Sequence, residues 1–154
     1  TEPIVTQDPY DKNQVKRSLY QGGINMPLFV SGKGVERKGI DNNIITSTDS
    51  FATISKIGCV DVSQINDSKS FKSLFSEKKS IRKYQYAEMK NEKNDAWTIS
   101  NGTYKLLVFA DGEEEMYHLI NDPYEKSNIL NSPLTTVEKK TKEALEAELS
   151  RIRN

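Results

Sequence analysis

The sequence is poor in the residue types on which many binding and catalytic sites depend. Its 154 residues include one cysteine, Cys59, and one histidine, His118. A single cysteine excludes an intrachain disulfide framework and a zinc cluster built from several cysteines. A single histidine excludes a multi-histidine metal site within this chain, and a self-contained Ser-His-Asp or Cys-His hydrolase would depend on His118 alone. We expect Cys59 to pack rather than react, and His118, which lies in a strand pattern, to be structural.

The chain also lacks an excess of charge and any long apolar run. Its 22 Lys and Arg residues balance 22 Asp and Glu residues, which argues against a nucleic-acid-binding protein that works through bulk positive charge. No stretch approaches the ~18 apolar residues of a membrane span, and no signal-peptide pattern opens the sequence. Apolar residues make up 35% of the chain, so we predict one small domain, with or without extensions, and a thin core.

The N-terminal part of the chain carries weak structural signals. Residues 1–19 are polar and show neither strand nor helix periodicity, which fits a flexible tail or a loop whose partner element lies outside this sequence. The pair Gly22-Gly23 predicts a tight turn, because glycine reaches positive φ freely. The short apolar run at residues 28–30, after Pro27, predicts a buried strand.

A short helix is predicted to begin near Phe51. Asp49 or Ser50 can cap it, and Gly58 can end it. Ile54 and Ile57 would give this helix a narrow apolar stripe. Residues 61–83 are rich in Ser, Lys and Asp, and three apolar anchors within them have the spacing of a short helical turn: Phe71, Leu74 and Phe75.

The last part of the chain predicts an antiparallel sheet followed by a long helix. Hairpin signals at 101–102 (Asn-Gly) and 111–112 (Asp-Gly) separate β-prone segments. Thr135 and Glu138 match a capping box at the start of the helix. An apolar face follows at helical spacing, formed by Val137, Leu145, Leu149 and Ile152. We therefore predict an α+β fold in which a small antiparallel sheet of about four strands packs on a C-terminal helix.

A few polar and charged groups are candidates for chemistry. Lys16 lies six residues before the glycine pair, where an ammonium group can approach a bound oxyanion, but from the residues alone a solvated surface lysine is the favoured interpretation. The carboxylates of residues 121–125 are conceivable metal or acid/base groups, but a turn is favoured. The acidic hairpin tip at 111–115 and the basic stretch at 78–83 are interpreted as solvated surface.

The order of the motifs resembles the sulfatase family. Residues 16–27, KRSLYQGGINMP, are similar to a family pattern of Lys, small residue, Thr/Ser, any residue, Tyr, Glu, Gly, Gly, aliphatic residue, Arg, any residue and Pro. Gln21 stands where the family has Glu and Asn25 where it has Arg, and these departures bear on substrate identity. The resemblance runs from about residue 15 to 131, and four further stretches match in family order: 49–58, 67–71, 101–106 and 115–129.

The resemblance implies an alkaline-phosphatase-like sulfatase, which hydrolyses sulfate esters. Such enzymes use a formylglycine nucleophile made from Cys or Ser and a divalent cation, usually calcium. This sequence has no Cys/Ser-x-Pro/Ala-x-Arg motif, so we assign it no metal ligand and no cofactor and expect the calcium ion and the formylglycine in an upstream part. Residues 1–60 are then expected to be a remnant of the large α/β catalytic domain, and residues 61–154 the C-terminal subdomain.

The resemblance assigns a catalytic role to Lys16, which would bind sulfate oxygens and stabilise the negative charge that develops in the transition state. Gln21 and Asn25 are candidate substrate-binding residues. The intact parent would act on a sulfated small molecule or glycan, and this chain alone would be inactive. Two alternatives stay open: a part of a related phosphodiesterase or phosphonate hydrolase, and a non-catalytic interaction module with the same fold.

The resemblance also implies a location and a mode of association. Family members are typically exported or lysosomal, so we expect a periplasmic or secreted protein, and the composition rich in Lys, Asn and Ile hints at an AT-rich bacterial source. Strands in residues 1–60 would normally pair with absent neighbours, and their exposed edges would then favour self-association.

Overall fold

The computed structural model describes residues 9, 11, 13–60, 62, 67–90 and 95–154. They divide into two compact units, which are named unit 1 (Thr1–Pro27 with Tyr86–Asn154) and unit 2 (Leu28–Gln85). The elements in chain order are helices α1 (Gln21–Ile24) and α2 (Asp49–Ile57), a 3-10 helix (Lys72–Phe75), strands β1 (Gln85–Met89), β2 (Ala96–Ser100), β3 (Tyr104–Phe109) and β4 (Glu114–His118), a second 3-10 helix (Ile129–Asn131) and helix α3 (Thr136–Arg153).

The predicted α+β fold is confirmed. The four strands form one sheet in the order β1-β2-β3-β4, and both β2 with β3 and β3 with β4 pair antiparallel. The two hairpin glycines adopt the positive φ that their turns require, +85° at Gly102 and +92° at Gly112. Because glycine reaches these angles without steric cost, the turn positions fix the strand register.

Helix α3 packs on β2 and β3. Its capping box forms as predicted, since Glu138 N donates to Thr135 Oγ1 and Thr135 N donates to Glu138 Oε2. Leu145 and Leu149 are buried, whereas Val137 and Ile152, at the two ends of the predicted apolar face, stay exposed.

The C-terminal end of α3 is fixed by a stacking contact. The Arg153 guanidinium lies 3.6 Å from the ring centroid of Trp97 in β2, a cation–π contact.

The opposite face of the sheet carries the second part of the core of unit 1. Strand alternation places Leu107 and Tyr117 on this face together with Ala96, and Leu19 from the N-terminal segment packs against them. Tyr20 and Ile24 extend this contact. The described part of the N-terminal segment therefore covers one face of the sheet while α3 covers the other. Of the two interpretations given for residues 1–19, the flexible tail does not apply to this part.

Helix α2 of unit 2 turns its polar side inward. It runs from Asp49 to Ile57 and is followed by Gly58, as predicted, but it begins two residues earlier than predicted, and its N-cap is Thr48 and not Asp49 or Ser50. The predicted apolar stripe, however, faces outward, because Ile54 is 68% exposed and Ile57 51% exposed, while Asp49 and Thr53 are buried. The two isoleucines thus lie on the exposed side of the helix, and its buried side is polar.

The reason for this orientation is a hydrogen-bond network around the Asp49 carboxylate. Arg82 binds it in a bidentate manner, with Nη2 2.6 Å from Oδ1 and Nε 2.7 Å from Oδ2. The backbone N–H groups of Thr46 and Lys69 donate to the same two oxygens. Burial raises the pKa of Asp49, but the Arg82 and backbone hydrogen bonds outweigh that effect and hold the pKa below its usual value. A charged carboxylate buried in this way keeps α2 attached through its polar side.

The predicted strand at residues 28–30 does not form. This run is exposed, and Phe29 has 90% of its surface accessible. No neighbouring strand pairs with it in the described part of the chain, and an isolated extended segment leaves its backbone groups to water. The anchors Phe71 and Phe75, in contrast, contact each other edge to face around the first 3-10 helix, as their spacing predicted.

The zero net charge of the chain conceals a difference between the two units. Unit 2 holds 10 Lys and Arg residues against 6 Asp and Glu residues, a net charge of +4, which leaves −4 for unit 1. All eight lysines of unit 2 are exposed. In the described part of the chain, no helix has both the length and the apolar character needed to cross a membrane. The expected origin of residues 1–60 as a remnant of a larger domain stays a prediction.

Candidate functional site

Lys16 lies on a tight turn whose apolar residues point into the protein. Val15 and Leu19 are buried, whereas Lys16 and Arg17 between them are exposed. The Ser18 hydroxyl donates to Val15 O at 2.6 Å and closes the turn. The backbone of Arg17 has a φ of +69°, a conformation uncommon for a residue with a side chain. Alternation of buried and exposed residues therefore presents the Lys16 ammonium to solvent, and within the described residues it has no ion-pair partner.

The glycine pair after this turn lies in helix α1 and not in the predicted glycine turn. Gly23 N and Ile24 N both donate to Tyr20 O, and neither glycine has a positive φ. Gly23 is required instead because there is no room for a side chain. A Cβ atom there would lie 2.7 Å from Val15 O and closer still to Ser18 O. The helical turn thus presses directly against the turn that carries Lys16.

The other two predicted site residues lie on α1. Gln21 is its first residue and half-buried, and Asn25 follows its last residue and is exposed. Asn25 N donates to Gln21 O at 2.9 Å. The structure thus places Lys16, Gln21 and Asn25 on one continuous segment, while their contacts with a substrate stay a prediction.

A buried ion pair lies beneath this segment. Lys105 of β3 and Glu125 are each 1% exposed, and Lys105 Nζ lies 2.6 Å from Glu125 Oε1. The second carboxylate oxygen of Glu125 accepts a hydrogen bond from Gln21 N. The Glu125 carbonyl accepts from Gln14 Nε2 at 3.1 Å. Among the described residues, Lys105 Nζ and Glu125 Oε1 have no hydrogen-bond partner beyond this ion pair.

Burial disfavours the charged form of both members of this pair. It lowers the pKa of Lys105 and raises the pKa of Glu125, and the attraction between the two groups opposes both shifts.

A second carboxylate, Glu115 of β4, holds the aromatic part of the segment. Its Oε2 accepts hydrogen bonds from Tyr20 OH at 2.6 Å and Tyr117 OH at 2.9 Å. The two tyrosine rings meet edge to face with centroids 6.2 Å apart. Burial, and then the adjacent Glu115 carboxylate, raise the pKa of Tyr20 above its ordinary value. Lys105 Nζ lies 5.9 Å from the Tyr20 ring centroid. Lys105 therefore links the two carboxylates that anchor this segment, Glu115 and Glu125.

These anchors were not identified from the sequence as site residues. Residues 121–125 do form the favoured turn, in which Asp122 accepts from the backbone of the two residues after Glu125. Its last carboxylate, Glu125, is nevertheless buried. Glu115 was assigned to a solvated tip, which is wrong. The available signal was a lysine at an inward position of an otherwise apolar strand, since a buried Lys105 requires an acidic partner.

The remaining candidates stand apart from this segment. His118 accepts a hydrogen bond from Asn121 N and contacts the Tyr104 ring edge to face, which is a structural role. Cys59 is exposed and therefore does not pack as predicted. The described residues contain no group of three or more His, Cys, Asp or Glu side chains that could hold a metal ion. The calcium ion and formylglycine of the family stay predictions for another part of the protein.

The fold resembles that of solved sulfatase structures. A protein of Bacteroides thetaiotaomicron described as a sulfatase matches with a TM-score of 0.67 and 20% identity, over 79% of this chain and 28% of that chain. A 2-O GAG sulfatase matches with a TM-score of 0.68 and 18% identity, over 80% and 29% of the two chains. A protein in complex with its substrate D-glucosamine-2-N,6-O-disulfate matches with a TM-score of 0.54 and 22% identity, over 66% and 22%. This chain thus spans less than a third of each of these structures.

Comparison with curated protein sequences finds no match. Residues 10–154, in contrast, match the family model described as "N-sulphoglucosamine sulphohydrolase, C-terminal". This match includes the Lys16 segment, both anchoring carboxylates, the whole sheet and α3. The chain therefore belongs to the N-sulphoglucosamine sulphohydrolase C-terminal family of sulfatase domains.

Proposed function

We propose that this chain is the C-terminal part of a sulfuric ester hydrolase and that Lys16 supplies a positive charge to the sulfate group of the substrate. The observation that carries the proposal is the placement of Lys16: an exposed ammonium on a turn that the protein fixes from both sides. Such a cation is available to an anionic ligand, because Lys16 is exposed and no described carboxylate pairs with it.

The chemistry of sulfate ester hydrolysis gives this lysine a role. Cleavage of the S–O bond transfers negative charge to the leaving oxygen and changes its distribution over the other sulfate oxygens. A cation already in position stabilises that charge without reorganisation, and this advantage is largest where water is excluded. A formylglycine nucleophile and a calcium ion would come from the rest of the protein.

Exposed apolar surface supports a role as part of a longer protein. Phe51, Ile54 and Ile57 form an outward stripe on α2, and residues 28–30 are exposed as well. Contiguous exposed apolar residues mark surfaces that another protein part covers. The share of the solved sulfatases that this chain spans is consistent with the same proposal.

The charge of unit 2 supports a sulfated glycan as the substrate class. Unit 2 has a net charge of +4 and all eight of its lysines are exposed, and a positively charged surface attracts polyanions. One structural neighbour carries a disulfated glucosamine and another is described as a GAG sulfatase. A periplasmic or secreted location, where such glycans occur, belongs to this proposal.

The test is Lys16→Ala in the protein at its natural length, with 4-nitrophenyl sulfate and a sulfated glucosamine as substrates. We expect kcat/KM to fall by roughly 100- to 1,000-fold for both, the usual effect of removing one group that stabilises an oxyanion. Lys139→Ala, on the exposed side of α3, is the matched control and should retain full activity. Unchanged turnover in Lys16→Ala, or faster hydrolysis of a phosphate diester than of a sulfate ester by the parent protein, would contradict the proposal.

A further inference from the structure

We propose that Glu125, held in place by Lys105, is the positioning residue that fixes the turn carrying Lys16. The catalytic consequence of this inference rests on the proposed function of Lys16, whereas the structural part stands on the contacts of unit 1 alone. Glu125 contacts no substrate and would act through the segment that it anchors.

The contacts of Glu125 bracket Lys16 along the chain. Its carbonyl accepts from the side chain of Gln14, two residues before Lys16, and its carboxylate accepts from the backbone of Gln21, five residues after it. Both attachments run from one residue more than 100 positions away in sequence. Since the ends of the turn are tied to the same point, the position of Lys16 between them is set by the position of Glu125.

The Glu125 carboxylate uses its two oxygens for different partners. Oε1 lies 2.6 Å from Lys105 Nζ, and Oε2 accepts from Gln21 N. Lys105 belongs to the central part of the sheet, between β2 and β4. The pair therefore transmits the rigid geometry of the sheet to the backbone of α1.

Two observations indicate that the Lys105–Glu125 pair does more than stabilise the fold. Burying two charges carries a desolvation cost that is often as large as their attraction, so an apolar pair of similar size would stabilise the fold equally well. Glu125 also has a φ of +55°, an uncommon conformation for a residue with a side chain, and such conformations are retained where the surrounding structure uses them. An apolar pair would fill the space but would offer no acceptor to Gln21 N.

This difference defines the decisive variant, Lys105→Met with Glu125→Leu, in the protein at its natural length. It removes both charges and keeps the volume, so the melting temperature should stay near that of the parent protein. The acceptor for Gln21 N is lost, and amide hydrogen exchange in peptides covering residues 13–24 should accelerate at least tenfold. Exchange in α3 should stay unchanged, because α3 packs on the other face of the sheet.

Two further variants keep the test conclusive. Glu125→Gln retains the shape of the side chain but leaves one acceptor oxygen for two donors, Lys105 Nζ and Gln21 N. If the buried ammonium of Lys105 takes that oxygen, the amide NH2 faces Gln21 N, so this variant reports on the same peptides if the double variant does not fold. Glu114→Gln is the matched control, since Glu114 also pairs with a lysine, with Oε2 2.7 Å from Lys142 Nζ, but on α3 and away from the turn. We expect fast exchange at 13–24 for Glu125→Gln and parent-like exchange there for Glu114→Gln.

The outcomes separate this inference from the proposed function. Parent-like exchange at residues 13–24 in the double variant, or equal acceleration throughout unit 1, would overturn the positioning role. Fast exchange confined to 13–24 supports it, and a lower kcat with little change in KM for sulfate esters extends it to catalysis. If Lys16→Ala proves fully active, the proposed function fails while the exchange data still decide the role of Glu125.

Discussion

Two residues restrict the conformation of the turn around Lys16, Gly23 and Glu125. Gly23 allows α1 to approach the carbonyl groups of Val15 and Ser18, and Glu125 binds the start of α1 from below. One residue acts by having no side chain and the other by having a charged one. Both leave the Lys16 side chain itself untouched.

Gly23→Ala tests the close approach at the scale of one residue. A Cβ atom there meets backbone carbonyls, which cannot move aside as a flexible side chain would. We expect a loss of about 1–3 kcal/mol in the free energy of unfolding, even though alanine favours helix by roughly 1 kcal/mol. Gly22→Ala, at an exposed position of the same helix, is the matched control and should be neutral or stabilising. Thermal unfolding followed by circular dichroism gives both values, and equal losses at the two positions would contradict the prediction.

At the scale of elements, α2 shows that the side of a helix with more apolar residues need not be the buried one. Its attachment depends on Asp49, Thr53 and the backbone groups that they bind. Thr53 Oγ1 donates to Asp49 O and accepts from Phe71 N, so the helix and the segment before the first 3-10 helix share one network. This network is completed by Arg82, and its strength therefore depends on the charge of Asp49.

The stability that Asp49 contributes should depend on pH in the acidic range. Its pKa in the folded protein is held below the unfolded value of 3.8, so its contribution is fully present above that value and is lost as the pH falls through the folded pKa. At pH 7, Asp49→Asn should cost about 3–5 kcal/mol, the typical effect of breaking a buried ion pair. The difference from the parent protein should shrink steadily below about pH 4.

The measurement is urea unfolding of the parent protein and Asp49→Asn at pH 7 and pH 3, followed by circular dichroism. Asp41→Asn is the matched control in the same unit, because the Arg37–Asp41 pair is partly exposed and such pairs contribute less than about 1 kcal/mol. A pH-independent difference between the parent protein and Asp49→Asn would show that the charge of Asp49 is not what holds α2.

At the scale of the whole molecule, the chain combines a covered sheet in unit 1 with exposed apolar side chains in unit 2. Unit 1 has both faces of its sheet covered, by α3 and by the N-terminal segment. Unit 2 leaves Ile40 and Phe29 almost completely exposed. These exposed apolar residues, like the exposed Lys16 and Asn25, support the proposal that the chain is one part of a longer protein.

The 154-residue chain should accordingly show no sulfatase activity on its own, even with calcium present. In the proposed function, Lys16 stabilises charge but supplies neither a nucleophile nor a path for the leaving group. The assay is hydrolysis of 4-nitrophenyl sulfate by the purified chain, compared with the protein at its natural length and with a buffer blank. Turnover above the blank that disappears in Lys16→Ala would refute this prediction.

The elements that local signals specify were predictable, and the long-range polar contacts were not. Hairpin glycines and a capping box lie within a few residues of the structure that they determine, so the sheet and α3 follow from the sequence. Asp49, in contrast, binds Arg82 at a distance of 33 positions, and nothing near α2 announces that partner. The apolar stripe of α2 therefore does not indicate which side of the helix is buried, because the partner that decides this, Arg82, lies far away in the sequence.

The candidate site shows the same division. Lys16 was found because its neighbourhood matches a family pattern, and its exposure follows from the buried residues on either side of it. The roles of Glu115 and Glu125 depend on tyrosines and a lysine that only the fold brings together. Acidic residues at a hairpin tip and in a turn look alike in sequence whether water or protein surrounds them.

The stacking of Arg153 on Trp97 gives the chain an internal optical probe. Trp97 is the only tryptophan among the 154 residues, and its ring is covered by the second-to-last residue of the chain. Its fluorescence therefore reports whether the end of α3 is docked on β2, within unit 1. Comparing that signal with circular dichroism, which averages over both units, distinguishes one melting event from two without any added label.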